Sequence, residues 1–107
     1  MRVKLPIDCE GYKGEVEIKA PSEYQIMKYV RDCNFKIDEE STVSVMSNIE
    51  STLKMYDIAR EHVSKVEIKK GTKKIKSFDE LINDPECNEI SRLVTKFVIT
   101  GGKLSQD

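Results

Sequence analysis

The sequence predicts an α+β fold in one small domain, residues 1–107, and three observations predict it. Two stretches alternate apolar and polar residues around glycine-containing turns, the period-two pattern of β-hairpins. Between and after them, apolar residues recur at helical spacing instead. No internal repeat, low-complexity run or Pro/Gly/Ser-rich linker divides the 107 residues, and the length suits one domain of roughly 100–150 residues. Leu, Ile, Val and Phe supply 28 residues, above the roughly 20% level below which chains stay disordered. A packed core is therefore expected.

The N-terminal hairpin sets Val3, Leu5 and Ile7 on one side and Lys4 on the other. Residues 10–14 read as a loop with two glycines, after which Val16, Ile18 and Ala20 alternate with Glu15, Glu17 and Lys19. Pro6 lacks an N–H, which predicts an edge position or a bulge for the first strand. Ser22 with Gln25 forms a capping-box pattern that opens a helix. Its apolar arc holds Ile26, Met27, Tyr29, Val30 and Cys33, and it stops near Asn34. Residues 35–41 are expected to loop, with Asp38, Glu39 and Glu40 placing negative charge before the next helix start.

A long central helix is expected over about residues 42–64. Val45, Met46, Ile49, Leu53, Tyr56, Ala59 and Val63 make its core stripe. Arg60 projects to the middle of that stripe. Either its head snorkels to water from the core's edge, or it forms a partly buried ion pair with an acid on the next helix. Val66, Ile68 and Ile75 around Lys70-Gly71-Thr72-Lys73 then give a second, lysine-rich hairpin. Ser77 with Glu80 caps a short helix through Leu81 and Ile82. Asp84-Pro85-Glu86 restarts the helical register, with an N-cap, a first-turn proline and a first-turn acid. Cys87, Ile90, Leu93, Val94, Phe97 and Val98 form the apolar arc of the C-terminal helix. Gly101 or Gly102 ends it, and 101–107 is expected to be a loose tail.

Composition and motifs exclude several functions. A net charge of −1 argues against non-specific nucleic-acid binding, which needs many uncompensated cations. No apolar run approaches the roughly 20 residues of a membrane span, and no signal-peptide pattern opens the chain. A soluble, cytoplasmic protein is the expectation. Cys9, Cys33 and Cys87 are widely spaced and odd in number, so they read as reduced thiols rather than a disulfide framework. With His62 the only histidine and no Cys-x-x-Cys pair, no zinc ligand set is evident. Gly-x-Ser-x-Gly, His-Glu-x-x-His and Gly-rich phosphate loops are absent from the sequence. These absences predict no enzyme, no cofactor or metal, and no small-molecule substrate.

Two groups of residues stand out as candidates for protein binding. Met55, Ile58 and His62 share a narrow second arc of the central helix. It reads either as ordinary isolated exposed residues or as a strip for a partner or for self-association. Between positions 65 and 76, six lysines stand against one acid. Lys69, Lys70, Lys73 and Lys74 in the second hairpin would either guard an exposed edge against aggregation or meet an acidic partner or phosphate. No aromatic residues interleave them, which makes nucleic acid the weaker version. Methionines at 27, 46 and 55 add adaptable apolar area, because the thioether is flexible and polarizable.

Two stretches carry a family resemblance. Val3-Lys4-Leu5-Pro6 through Gly14-Glu15-Val16-Glu17-Ile18 into Ala20-Pro21-Ser22 is a short hairpin feeding directly into a helix. Ile75-Lys76-Ser77-Phe78-Asp79-Glu80-Leu81 is followed by an apolar helix. Together they cover about half of the chain, and they resemble small tail-assembly chaperones and related morphogenesis proteins of tailed bacteriophages. The resemblance implies a non-catalytic protein of the bacterial host cytoplasm that covers tail tube or tape-measure surfaces during assembly. Its partners would be other phage structural proteins, with a homo-oligomer also open. Rival readings are a structural subunit retained in the virion, pairing with neighbours by strand addition, and a regulator of one host protein.

Overall fold

The computed structural model describes residues 1–33, 35–37, 43–45 and 49–101, without side-chain detail for 35–37 and 43–45. Strands β1 (Arg2–Cys9) and β2 (Tyr12–Lys19) lead into helix α1 (Glu23–Cys33), and β3 (Phe35–Ile37) pairs with β4 (Val43–Val45). Helix α2 (Ile49–His62) runs directly into β5 (Val63–Lys70), followed by β6 (Lys73–Ile75). Helix α3 (Phe78–Asn83), a 3-10 turn (Pro85–Cys87) and α4 (Asn88–Ile99) complete the described chain. The α+β class is as the sequence predicts.

The two hairpins are halves of one antiparallel sheet in the order β1-β2-β5-β6. The first turns at Glu10-Gly11, both with positive φ (53° and 88°), the backbone signature of a tight type I′ hairpin turn. The Ala20 N–H donates to the Met1 carbonyl at 2.9 Å. Because antiparallel bonds alternate, Arg2, Lys4, Pro6 and Asp8 aim their backbone groups away from β2. Pro6 thus puts its missing N–H at the open edge of the sheet, as expected. Gly14 lies inside β2 rather than in the loop, paired with Ile7 and Ile68. A Cβ there would sit 1.9 Å from the Glu67 carbonyl oxygen, so only glycine lets β2 and β5 approach this closely.

One side of the sheet is covered by helices. Leu5, Ile7, Val16, Ile18, Val66, Ile68 and Ile75 pack against Ala59, Phe78, Leu81, Ile90, Val94 and Val98. Burying each such aliphatic side chain stabilises the fold by about 1.5–3 kcal/mol. A second cluster joins the helices to one another: Cys33, Met55 and Ile99 with Tyr29, Val30 and Ile58. On α4 the buried arc is wider than expected, because Ser91 and Thr95 also go inside, each hydroxyl donating to a carbonyl (Leu81 O at 3.1 Å, Ser91 O at 2.8 Å). The caps form: Ser22 and Gln25 exchange hydrogen bonds reciprocally, and the Ser77 hydroxyl accepts from the Glu80 N–H. Gly101 closes α4 with its N–H on the Val98 carbonyl.

The central helix departs from expectation in extent and in phase. Residues 43–45 are strand, α2 begins at Ile49, and Val63 already belongs to β5. The strand pair β3–β4 replaces part of the expected loop and the expected first helical turn. Of the expectations for this region, those on Asn34, Asp38, Glu39, Glu40 and Met46 lie outside the described residues, as does the expected tail at 102–107. The buried face of α2 is Ser51, Met55, Ala59 and His62. Ile49 and Leu53, expected in the core, are 81% and 57% exposed. No linker separates His62 from Val63, so the inward positions Val66 and Ile68 of β5 fix the rotation of the helix. Ala59, the smallest residue of the buried face, faces the sheet cluster.

Candidate functional site

Strand alternation divides the lysines of the β5–β6 hairpin into two pairs. Lys70 and Lys73 oppose each other next to the turn, and Lys69 and Lys74 form the next pair. Consecutive side chains point to opposite sides, so the two pairs serve different sides of the sheet.

Lys73 reaches toward the helix-covered side. Its Nζ lies 2.6 Å from Asp84 Oδ2 and 3.2 Å from Glu86 Oε1, and it donates to the Tyr12 hydroxyl at 2.9 Å. Tyr12, 1% exposed, donates in turn to Glu86 Oε1 at 2.9 Å, and the Lys70 ammonium stands 5.0 Å from its ring centroid. Asp84 also serves as N-cap of the 3-10 turn, its Oδ1 accepting the Glu86 N–H. The contact with Lys73 holds the Asp84 carboxyl below its ordinary range, and the Tyr12 hydroxyl, then Lys73, do the same for Glu86. Asp84 foremost pushes the Lys73 ammonium well above its usual range. The network ties β2, β6 and the connection before α4 into one unit. Lys73 is thus an internal strut. A cleft of about 350 Å³ beside it carries both signs of charge, including Glu10, Lys70, Glu89 and Arg92.

Lys69 and Lys74 project from the open side. Lys13 on β2 is opposite Lys69 on β5, which is opposite Lys74 on β6, so three ammonium groups form one row across three strands. The adjacent row is built differently: Glu15 opposes Glu67, and each takes a lysine, Lys4 at 3.6 Å and Lys65 at 2.7 Å. Among the described residues, no carboxylate forms an ion pair with Lys13, Lys69, Lys74 or Lys76. A shallow trough of about 790 Å³ runs over this area.

The expected strip of Met55, Ile58 and His62 is corrected by the structure. Met55 is 4% exposed in the cluster between α1, α2 and α4, His62 is 7% exposed, and Ile58 is half-buried beside Met55. His62 Nδ1 lies 2.7 Å from the Lys19 carbonyl oxygen, and Nε2 lies 2.7 Å from the Tyr29 hydroxyl. A carbonyl only accepts, so Nδ1 carries the hydrogen of the first contact, and Nε2 makes the second with the Tyr29 hydroxyl. His62 thereby pins α1 and the end of β2 to the last turn of α2.

Among the described residues, the large apolar side chains left exposed are, besides Met1, Ile49 and Leu53 on α2, one turn apart, and Tyr24 and Met27 on α1 at 67% and 62% exposure. The sequence held a signal for the first pair, since Arg60 sits in the middle of the same stripe. Its guanidinium reaches Asp57 at 2.6 Å and, on α3, Asp79 at 2.9 Å. This is the ion pair to the next helix that the sequence left open, at the surface rather than under the core.

Cys9, Cys33 and Cys87 are free. Burial pushes the Cys33 and Cys87 thiols up, away from the reactive thiolate. Among the described residues, no group of three or more His, Cys, Asp or Glu side chains could hold a metal ion, and no helix is long and apolar enough to cross a membrane. Compared with known proteins, the chain matches no family model, no curated protein and no solved structure.

Proposed function

We propose that this chain is a non-catalytic protein-binding domain that acts in the tail morphogenesis of a tailed bacteriophage, in the host cytoplasm. In this role it covers apolar surface of tail tube or tape-measure protein before assembly. The observation that carries the binding role is the pair Ile49 and Leu53, 81% and 57% exposed on one face of α2. Apolar residues one turn apart are the anchors with which a helix lies against an apolar groove. Tyr24 and Met27 give α1, which packs beside α2, a similar exposed pair. The partner class comes from the resemblance of the hairpin-to-helix opening and of the Ser77-Phe78-Asp79-Glu80 region to tail-assembly chaperones.

Co-expression with tail tube and tape-measure proteins tests the proposal. The expected result is a soluble complex that persists at 1 M salt, where exposed charges are screened beyond about 3 Å, and that Leu53→Asp abolishes. The protein should then be absent from purified particles by mass spectrometry. Stoichiometric presence there favours the structural subunit. A complex untouched by Leu53→Asp and Ile49→Asp overturns the apolar contact.

A further inference from the structure

We infer that the open side of the sheet is a docking surface for an extended, acidic segment of a partner protein, held across the row Lys13–Lys69–Lys74 with Lys76 beside it. This goes beyond the binding role assigned to the helices and uses different residues on the opposite side of the sheet.

The row is a feature that the fold does not need. Like charges directly opposite each other on neighbouring strands are destabilising, and here three are consecutive. Guarding an edge against strand addition explains lysines on edge strands. That accounts for Lys74 on β6, but β2 and β5 are interior strands, so it does not account for Lys13 or Lys69. The adjacent row shows that the same surface places carboxylates within reach of lysines, at Lys4–Glu15 and Lys65–Glu67. One carboxylate flanks the lysine row, Asp8, opposite Lys13 on β1, and among the described residues it forms no ion pair with Lys13. Five lysines and two already-paired glutamates line the trough, in a chain whose net charge is −1.

Geometry and chemistry select the occupant. Neighbouring strands lie about 4.8 Å apart, so the three lysine stems span about 10 Å, while side chains on one side of an extended peptide repeat every 6.6–7 Å or so. Acidic residues at i and i+2 of an extended segment therefore fall within reach of the flexible ammonium groups. Single-stranded nucleic acid would want aromatic platforms for its bases, and the trough lining holds no aromatic residue and no arginine, the side chain suited to bidentate phosphate contacts. Charge complementarity alone remains, and it fits carboxylates on a partner chain.

The test titrates the full chain into a fluorescein-labelled deca-glutamate peptide by fluorescence anisotropy, with an oligothymidylate of equal charge as competitor. Binding is expected, weakening as salt rises from about 50 to 200 mM, with the peptide preferred over the oligonucleotide. Lys69→Glu/Lys74→Glu should weaken it roughly tenfold, while Lys96→Glu on the exposed side of α4 should leave it within about twofold. If the double reversal fails to fold, Lys69→Met/Lys74→Met removes the charges, keeps the stems and must also weaken binding. No binding, equal loss in Lys96→Glu, or tighter binding of the oligonucleotide overturns the inference. Self-association in sedimentation that disappears in the lysine variant also overturns it, by making the occupant a second copy of this chain.

Discussion

On the helix-covered side of the sheet, Lys73 lies within 3.2 Å of Asp84, Glu86 and the Tyr12 hydroxyl. One residue along β6, Lys74 turns to the open side beside Lys69 and Lys13, with no ion-paired carboxylate among the described residues. The two lysines are adjacent in sequence and identical in chemistry. What separates them is the parity of the strand, which delivers one to acids placed by the connection before α4 and the other to a row of its own kind. Lysine density in a sequence is thus a poor guide to role until the strand register is known.

The largest expected effect breaks both sides at once. Gly14→Ala drives a Cβ into the Glu67 carbonyl and separates β2 from β5, the strands that carry two of the three outer lysines. It should cost about 3 kcal/mol or more, read from the denaturant midpoint. A midpoint near the parent's would mean that the strands do not approach this closely. The contrast between covered and open surface also divides α2. Met55→Ala should cost about 2–5 kcal/mol by opening a cavity between α1, α2 and α4, while Leu53→Ala stays within about 0.5 kcal/mol. The reverse order would restore Leu53 to the core.

A smaller effect isolates the inner strut. Asp84 and Glu86 are held below their ordinary range in the folded chain. Their contribution is therefore complete above the unfolded carboxylate range near pH 4, and it is lost as pH falls through the lowered folded values. Lys73→Met should lower stability at neutral pH, and its deficit against the parent should shrink as the medium is acidified through that range. A deficit constant with pH would deny the ionic link.

Much of this fold was legible. Period-two runs located the four strands of the main sheet, Pro6 marked the edge, and Ser22, Ser77 and Asp84 marked three helical starts. Helix α4 was read well because its apolar arc is broad and meets one continuous core. On helix α2 the expected stripe includes Ala59, which is buried, but the rest of the buried face is Ser51, Met55 and His62, two of them polar. The more apolar stripe of Ile49 and Leu53 outscored that face and turned out to be surface. The strands β3 and β4 are three residues each, too short for periodicity to register. Of the candidate site, the lysines were visible but their division was not. Tyr12, Asp84 and Glu86 approach Lys73 only through the tertiary fold, the tyrosine from 61 residues away, and no local pattern announces that meeting.

The most direct test of the division is a pair of thermal melts at neutral pH and low salt. Lys69→Glu places a carboxylate between Lys13 and Lys74, turning two like-charged neighbours into two opposite-charged ones, so its Tm should rise above the parent's. Lys73→Met removes the partner of Asp84 and Glu86, so its Tm should fall. A Tm for Lys69→Glu that drops together with that of Lys73→Met would contradict the account, because the outer lysine would then be as much a part of the fold as the inner one.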